Sequence, residues 1–290
     1  MDQQLCVREK VSKPHERSDI KRHSLPVRLA HWTNFACLVV LLMSGLGIFN
    51  GWPALYWGIQ THFAHPLLAF FAMRTPSGRV VGITWLLGHT FVTTGWFGLS
   101  ESGGRMVARG FPSWATLPGS LDLAMARRWH FFFAWIFVVN GAFYSAYALA
   151  SRHLWRDLLP SWRELGGIGR SAWDHARLRF PAGEEARHYN ILQKLSYLVA
   201  MFGMAPLMVA TGLAMSPWMD AAFPWLVEIF GGRQSARTIH FITAFALLAF
   251  VLIHILMVLV SGVGNNMRAM ITGRYRIEEP APAEESGKNE

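Results

Sequence analysis

The feature that most constrains this chain is a set of four apolar runs. Each is about as long as a helix must be to cross a bilayer, roughly 20 residues. They occupy 29–49, 126–148, 191–213 and 238–262. In hydrocarbon every backbone N–H and C=O needs a partner within the protein, and runs without strand-like alternation meet that need as helices. The expected fold class is all-α integral membrane: a four-helix transmembrane bundle with a long extracytoplasmic segment between helices 1 and 2.

Composition agrees with that solvent. Hydrophobic residues make up 52% of the 290 and charged ones only 16%, against about 25% charged in soluble domains. The net charge of +9 does not point to nucleic acid, because the basic residues gather outside the apolar runs. They concentrate in 1–28, 149–190 and 263–290, which places both termini in the cytoplasm by the positive-inside rule. The membrane domain is then 29–262, between a tail at 1–28 and a tail at 263–290. Within it 50–125 is extracytoplasmic and 149–190 is a cytoplasmic loop. Semi-apolar stretches within 50–125, such as 80–99, could insert as an extra pair of helices. Turn formers at Thr75-Pro76-Ser77-Gly78, Ser102-Gly103-Gly104 and Pro112 favour a segment outside the membrane. The first run follows a tail too polar and too long for a signal peptide and is read as a retained helix. The loop stretch 155–180, mixing Trp155, Leu158, Leu159 and Trp173 with arginines, reads as lying partly on the membrane surface.

Histidine carries the chemistry. Of twelve, His15, His23, His153, His175 and His188 fall in polar cytoplasmic segments and receive no role. His62 and His65 resemble a short metal motif without further ligands, and His89 is likewise unassigned. His31, His130, His240 and His254 lie in or at the edge of the apolar runs, where polar residues are costly and usually functional. His240 and His254 are 14 residues apart (254 minus 240), roughly 40° short of four turns, so both leave one face of one helix, about 21 Å apart along its axis. They belong to two sites. Helix direction pairs His130 with His240 on the outer side and His31 with His254 on the inner side. Two imidazoles per site, with no thiolate or carboxylate near them in the runs, suit two b-type haems held non-covalently in the bundle core. Cys6 and Cys37 are the two cysteines, and no CxxCH or iron–sulfur cluster pattern occurs.

Arg127 and Arg128 precede His130, and Arg237 precedes His240 by three residues. They suit haem propionates or mark the interface. Trp32, Trp129 and Trp218 suit an interfacial belt. Gly45, Gly47, Gly141 and Gly203 suit close helix packing, or room for a porphyrin face. Pro206 is expected to kink the third helix.

The stretches His23-Ser24-Leu25-Pro26-Val27-Arg28-Leu29-Ala30-His31-Trp32, Arg127-Arg128-Trp129-His130-Phe131-Phe132, Tyr189-Asn190-Ile191-Leu192-Gln193-Lys194, and Arg237-Thr238-Ile239-His240 with His254 carry a family likeness. Over about 23–275 the chain resembles the bacterial cytochrome b561 and nickel-hydrogenase b-type cytochrome group, in its thiosulfate reductase cytochrome b branch. That resemblance implies His31, His130, His240 and His254 as axial ligands. It also implies the bacterial inner membrane, a quinone as redox partner, and an extracytoplasmic oxidoreductase subunit of the molybdenum-enzyme or hydrogenase type. The segment 50–125 is longer than in hydrogenase-type members. No nucleophile and base pair, phosphate loop or nicotinamide fingerprint is present, so an electron-transfer subunit is expected rather than an enzyme alone. Two rival readings remain: a histidine-cluster metal enzyme, or a membrane transporter using histidines as proton relays.

Overall fold

The computed structural model describes residues 17–278 except 153, 156–158, 170, 172, 174–176 and 178–190. Cys6, His15, His153, His175 and His188 lie outside the described residues, as do Tyr189, Asn190 and, within the 155–180 stretch, 156–158, 170, 172, 174–176 and 178–180. Four helices are long and apolar enough to cross a membrane: α1 (Leu25–Phe49), α2 (Leu123–Ala150), α3 (Ile191–Ala214) and α4 (Arg233–Val260). A shorter α5 (Val263–Thr272) follows. α1 packs chiefly on α2, and α3 on α4. Outward faces stay apolar and uncovered, as at Phe132, Trp135 and Val139 of α2 and Leu252, Leu256 and Leu259 of α4. Hydrocarbon is the solvent those faces fit.

Local signals set the helix ends. Pro26 stands in the first turn of α1, where its missing N–H costs nothing. The Asp122 carboxylate accepts from the Met125 N–H at 2.9 Å and caps α2. α4 begins at Gly232, whose φ is +114°, and a Cβ there would lie 2.7 Å from the Gly58 carbonyl oxygen. Only glycine lets the 58–59 loop approach so closely. That carbonyl then accepts from the Gln234 and Ser235 N–H groups at 3.1 and 3.2 Å, capping the helix that carries two of the four histidines. In α3 the α-helical hydrogen bonding gives way to a π segment over Val199–Met204, immediately before Pro206. A proline lacks the N–H that would continue the ladder, and a wider turn absorbs the defect.

The all-α expectation is corrected between α1 and α2. Strands β2 (Ala54–Leu55), β3 (Leu68–Arg74), β4 (Val80–Leu86) and β5 (His89–Val92) form one antiparallel sheet in that order. β6 (Gly98–Ser102) and β7 (Arg105–Arg109) form a hairpin beside it. Extra membrane helices in 80–99 are overturned for a local reason. β4 and β5 are joined by Leu87 and Gly88, both at positive φ (46° and 91°), the two-residue turn that a right-twisted hairpin prefers. β-Branched and aromatic residues flank that turn and suit a half-buried pleat. The β6–β7 hairpin crosses the sheet where Gly82 and Gly98 meet. A Cβ at Gly82 would stand 2.4 Å from the Phe97 carbonyl oxygen, so only bare backbone fits there.

Phe49 of α1, Leu55, Phe70 and Phe111 form a buried cluster, with Phe97 and Phe241 packed against it. Phe49 and Phe241 rings lie 4.8 Å apart. Asn50 locks the same junction, accepting from the Phe111 N–H at 2.7 Å and donating to the Phe111 carbonyl at 3.2 Å. The β-module is therefore fixed over the bundle end that holds His240. At the other end β1 (Arg17–Lys21) pairs antiparallel with β8 (Arg274–Glu278), so the first and last described segments lie on the same side. Asp19 bridges Arg268 of α5 there, at 2.9 and 2.6 Å, and the Arg268 guanidinium pulls the Asp19 carboxyl below its ordinary 3.8.

Candidate functional site

The structure brings the four membrane histidines together two by two. His130 of α2 faces His240 of α4 with ring centres 6.3 Å apart and ring planes at 61°. His31 of α1 faces His254 of α4 with ring centres 6.3 Å apart and planes at 59°. A metal–imidazole bond of about 2 Å, plus about 1 Å from nitrogen to ring centre, makes roughly 6 Å across one metal ion held by two rings. Both separations suit a single ion between two imidazoles. They are too long for the rings to bond each other directly.

The tautomer at the first pair follows from its neighbours. Ser44 Oγ donates its one proton to the Val40 carbonyl at 2.6 Å, so at 3.1 Å from His130 Nδ1 it can only accept. His130 therefore carries its proton on Nδ1 and leaves Nε2 as a bare lone pair. Thr211 repeats the arrangement on α3. Its hydroxyl donates to the Leu207 carbonyl at 2.6 Å and lies 3.0 Å from His240 Nδ1. Ser44 and Thr211 are both fully buried. Metal-binding imidazoles are commonly fixed by such a partner on the second nitrogen.

Glycine follows each hydroxyl residue, and a Cβ at Gly45 or Gly212 would meet the His130 or His240 Cε1 at 3.4 or 3.5 Å. Gly45 thus borders a histidine ring. Gly47 packs against Ala126 and Leu117, and a Cβ on Gly141 or Gly203 would meet nothing within 4 Å. The sequence reading missed Ser44, Thr211 and Gly212, although an internal repeat marks them. Ser44-Gly45-Leu46 on α1 matches Thr211-Gly212-Leu213 on α3. Ala126-Arg127-Arg128-Trp129-His130-Phe131 on α2 matches Ala236-Arg237-Thr238-Ile239-His240-Phe241 on α4. The two helix hairpins present the same constellation from opposite sides of one site.

The second pair is built differently. His31 Nδ1 is buried without a hydrogen-bond partner, and the His254 ring stacks on Phe250 at 6.2 Å. Trp32, beside His31, donates to the Met270 carbonyl at 3.2 Å and ties this end of α1 to α5. Asn140 of α2 donates to the Ala30 carbonyl and to Asn34 Oδ1, at 2.9 and 2.8 Å, bracing α1 at the same level.

The arginines are arranged unequally. Arg127 lies over the Phe131 ring at 5.8 Å, and Arg128 is exposed. Arg237 donates to the Trp52 carbonyl and lies over the Phe49 ring at 5.3 Å. His62, His65 and His89 are exposed in the β-module. Among the described residues no group of three or more metal-binding side chains gathers, which leaves the paired imidazoles as the donor sets on view. Two neutral nitrogen donors per site, enclosed by apolar helices, fit haem iron, whose remaining four ligands belong to the porphyrin.

Comparison with known proteins agrees with this construction. The model of prokaryotic cytochrome b561 matches residues 80–273, a span containing His130, His240 and His254. α1 with His31 lies outside the match. The putative protein-methionine-sulfoxide reductase subunit YedZ1 of Azospira oryzae is 28% identical over 247 residues, covering 85% of this chain and 93% of that one. No solved structure matches the chain. With four membrane-length helices and a match across most of its length, the chain belongs to the prokaryotic cytochrome b561 family of integral membrane b-type cytochromes, which carry electrons.

Proposed function

We propose that this protein is a dihaem cytochrome b subunit that passes electrons between the quinone pool and an extracytoplasmic oxidoreductase. The observation that carries the reading is the equal 6.3 Å spacing of two histidine pairs at two depths of one bundle. His130 and His240 would hold the haem of the site under the β-module, and His31 and His254 that of the site toward β1 and β8. Haem iron held by two histidines would leave no position for a substrate and would supply a one-electron carrier. Ser44 and Thr211 hold their imidazoles in the ligating tautomer, and Gly45 and Gly212 keep the ring edges clear. Arg128 and Arg237 pair the propionates of the site under the β-module. The Phe49, Phe111 and Phe241 cluster keeps water from the module-side pair. Both termini face the cytoplasm, by the distribution of Lys and Arg.

The β-module then lies outside the bacterial inner membrane, above the His130/His240 site, where a partner receives or delivers electrons. The relative's name favours a methionine-sulfoxide reductase type of partner over a hydrogenase. The inner pair, toward β1 and β8, exchanges electrons with quinone. A rival reading as a proton-relaying transporter is disfavoured by the hydroxyl-fixed tautomers, which direct Nε2 of His130 and His240 as lone pairs into one shared space. The functional test is quinol oxidation in proteoliposomes. Duroquinol should reduce the protein and develop its reduced b-type spectrum, and His254→Ala should block this. A protein reducible by dithionite but never by duroquinol would refute the quinone assignment.

A further inference from the structure

The bundle end that carries β1 and β8 holds a cavity of ≈ 520 Å³ that the histidine pairs do not use. Lys21, Arg28 and Arg274 line it, with Asp19 the one acid among the described lining residues. Asp19 is already engaged by two hydrogen bonds from Arg268, with Arg276 at 3.7 Å. The cavity is therefore cationic. Arg28 Nε is buried there without a hydrogen-bond partner. The first turn of α1 contains no acid, and Ser24, its N-cap, spends its hydroxyl on Tyr147 at 2.9 Å. The positive end of the α1 dipole adds to the same field.

Below the rim the surface turns apolar. Leu25 lines the cavity itself, and Leu25, Leu29 and Trp32 follow at successive turns of one face of α1, exposed by 57%, 58% and 37%. A cationic cup continuing into an apolar stripe matches an amphiphile with an anionic head. We propose that this cavity binds the phosphate head group of an anionic phospholipid, with an acyl chain along Leu25, Leu29 and Trp32. A free phosphate ion would use the cup and leave the stripe unexplained. Basic pockets at the ends of membrane helices are suited to such head groups. The site stands on the membrane span alone and is independent of which ligands hold haem.

Native mass spectrometry of the haem-loaded protein in detergent tests it, with phosphatidylglycerol, phosphatidylcholine and inorganic phosphate as probes. The protein should retain phosphatidylglycerol in preference to phosphatidylcholine, and inorganic phosphate should fail to displace it. The double variant Lys21→Gln/Arg274→Gln should bind phosphatidylglycerol about tenfold or more weakly. Lys21→Arg/Arg274→Lys should restore binding, and an unchanged Soret band in both variants reports an intact bundle. Equal retention of the two lipids, or displacement by inorganic phosphate, overturns the proposal. So does a double variant that keeps its lipid but shifts a haem midpoint potential, because the cup would then serve haem carboxylates.

Discussion

Ser44 Oγ accepts the Nδ1 proton of His130 across 3.1 Å, because its own proton is committed to the Val40 carbonyl at 2.6 Å. Thr211 does the same for His240. A hydrogen bond on Nδ1 makes Nε2 a stronger donor and favours the oxidised metal. Ser44→Ala or Thr211→Ala should therefore retain haem but raise one midpoint potential by on the order of 30–60 mV, a tenfold change being about 59 mV for one electron. Ser44→Thr should restore the native value. A spectroelectrochemical titration with unchanged potentials in both alanine variants would remove this role.

The two histidine pairs share α4 but no other histidine-bearing helix, so they should fail separately. His240→Ala is expected to abolish the haem under the β-module and leave some of the other, and His254→Ala to do the reverse. Difference spectra resolved by redox titration distinguish them. Retention of both components in both variants would sink the assignment of ligands.

Arg109 is 3% exposed and holds the β-module from within. It donates to Phe111 and Gly119 carbonyls and to the Ser102 and Thr116 hydroxyls, at 2.7 to 3.3 Å. Burial lowers its pKa, yet arginine keeps its charge at neutral pH. Arg109→Met strands those acceptors and should cost about 2–5 kcal/mol of module stability. Limited proteolysis should then cut within 54–109 while the helices persist. Native-like resistance would show that the network is dispensable.

How much of this was legible beforehand divides by the kind of interaction. The four spans and the opposed histidines follow from hydropathy, helix period and direction, all properties of local sequence. The β-module was read only as an extramembrane segment, because its strands are short and its sheet depends on pairing between 54–55, 68–74 and 80–92. Ser44 and Thr211 were passed over because one small hydroxyl in an apolar helix resembles any other. Their role emerges only when α1 meets α2 and α3 meets α4, although the matching Ser-Gly-Leu and Thr-Gly-Leu units were there to be compared. Arg237 was read as suiting haem propionates or marking the interface, and packing gives it the Trp52 carbonyl, a partner no local pattern announces.

Acid should open the clasp between β1 and β8. The native Asp19 pKa lies below 3.8, chiefly through the Arg268 hydrogen bond. A depressed carboxylate contributes its stability above the unfolded value and loses it as pH falls through the lower native one. Spin labels at positions 18 and 277, opposed in the β1–β8 ladder, should hold one short distance above about pH 4 and spread below it, in a Cys6→Ser background. Asp19→Asn should show the spread at neutral pH. A distribution independent of pH would contradict the clasp.

The central claim is that two imidazole pairs hold two haems, and haem quantified per chain by reduced-minus-oxidised spectra of the detergent-purified protein tests it most directly. The account predicts about two b-type haems per chain, titrating as two components. A value of one, or no haem from cells well supplied with it, would contradict it.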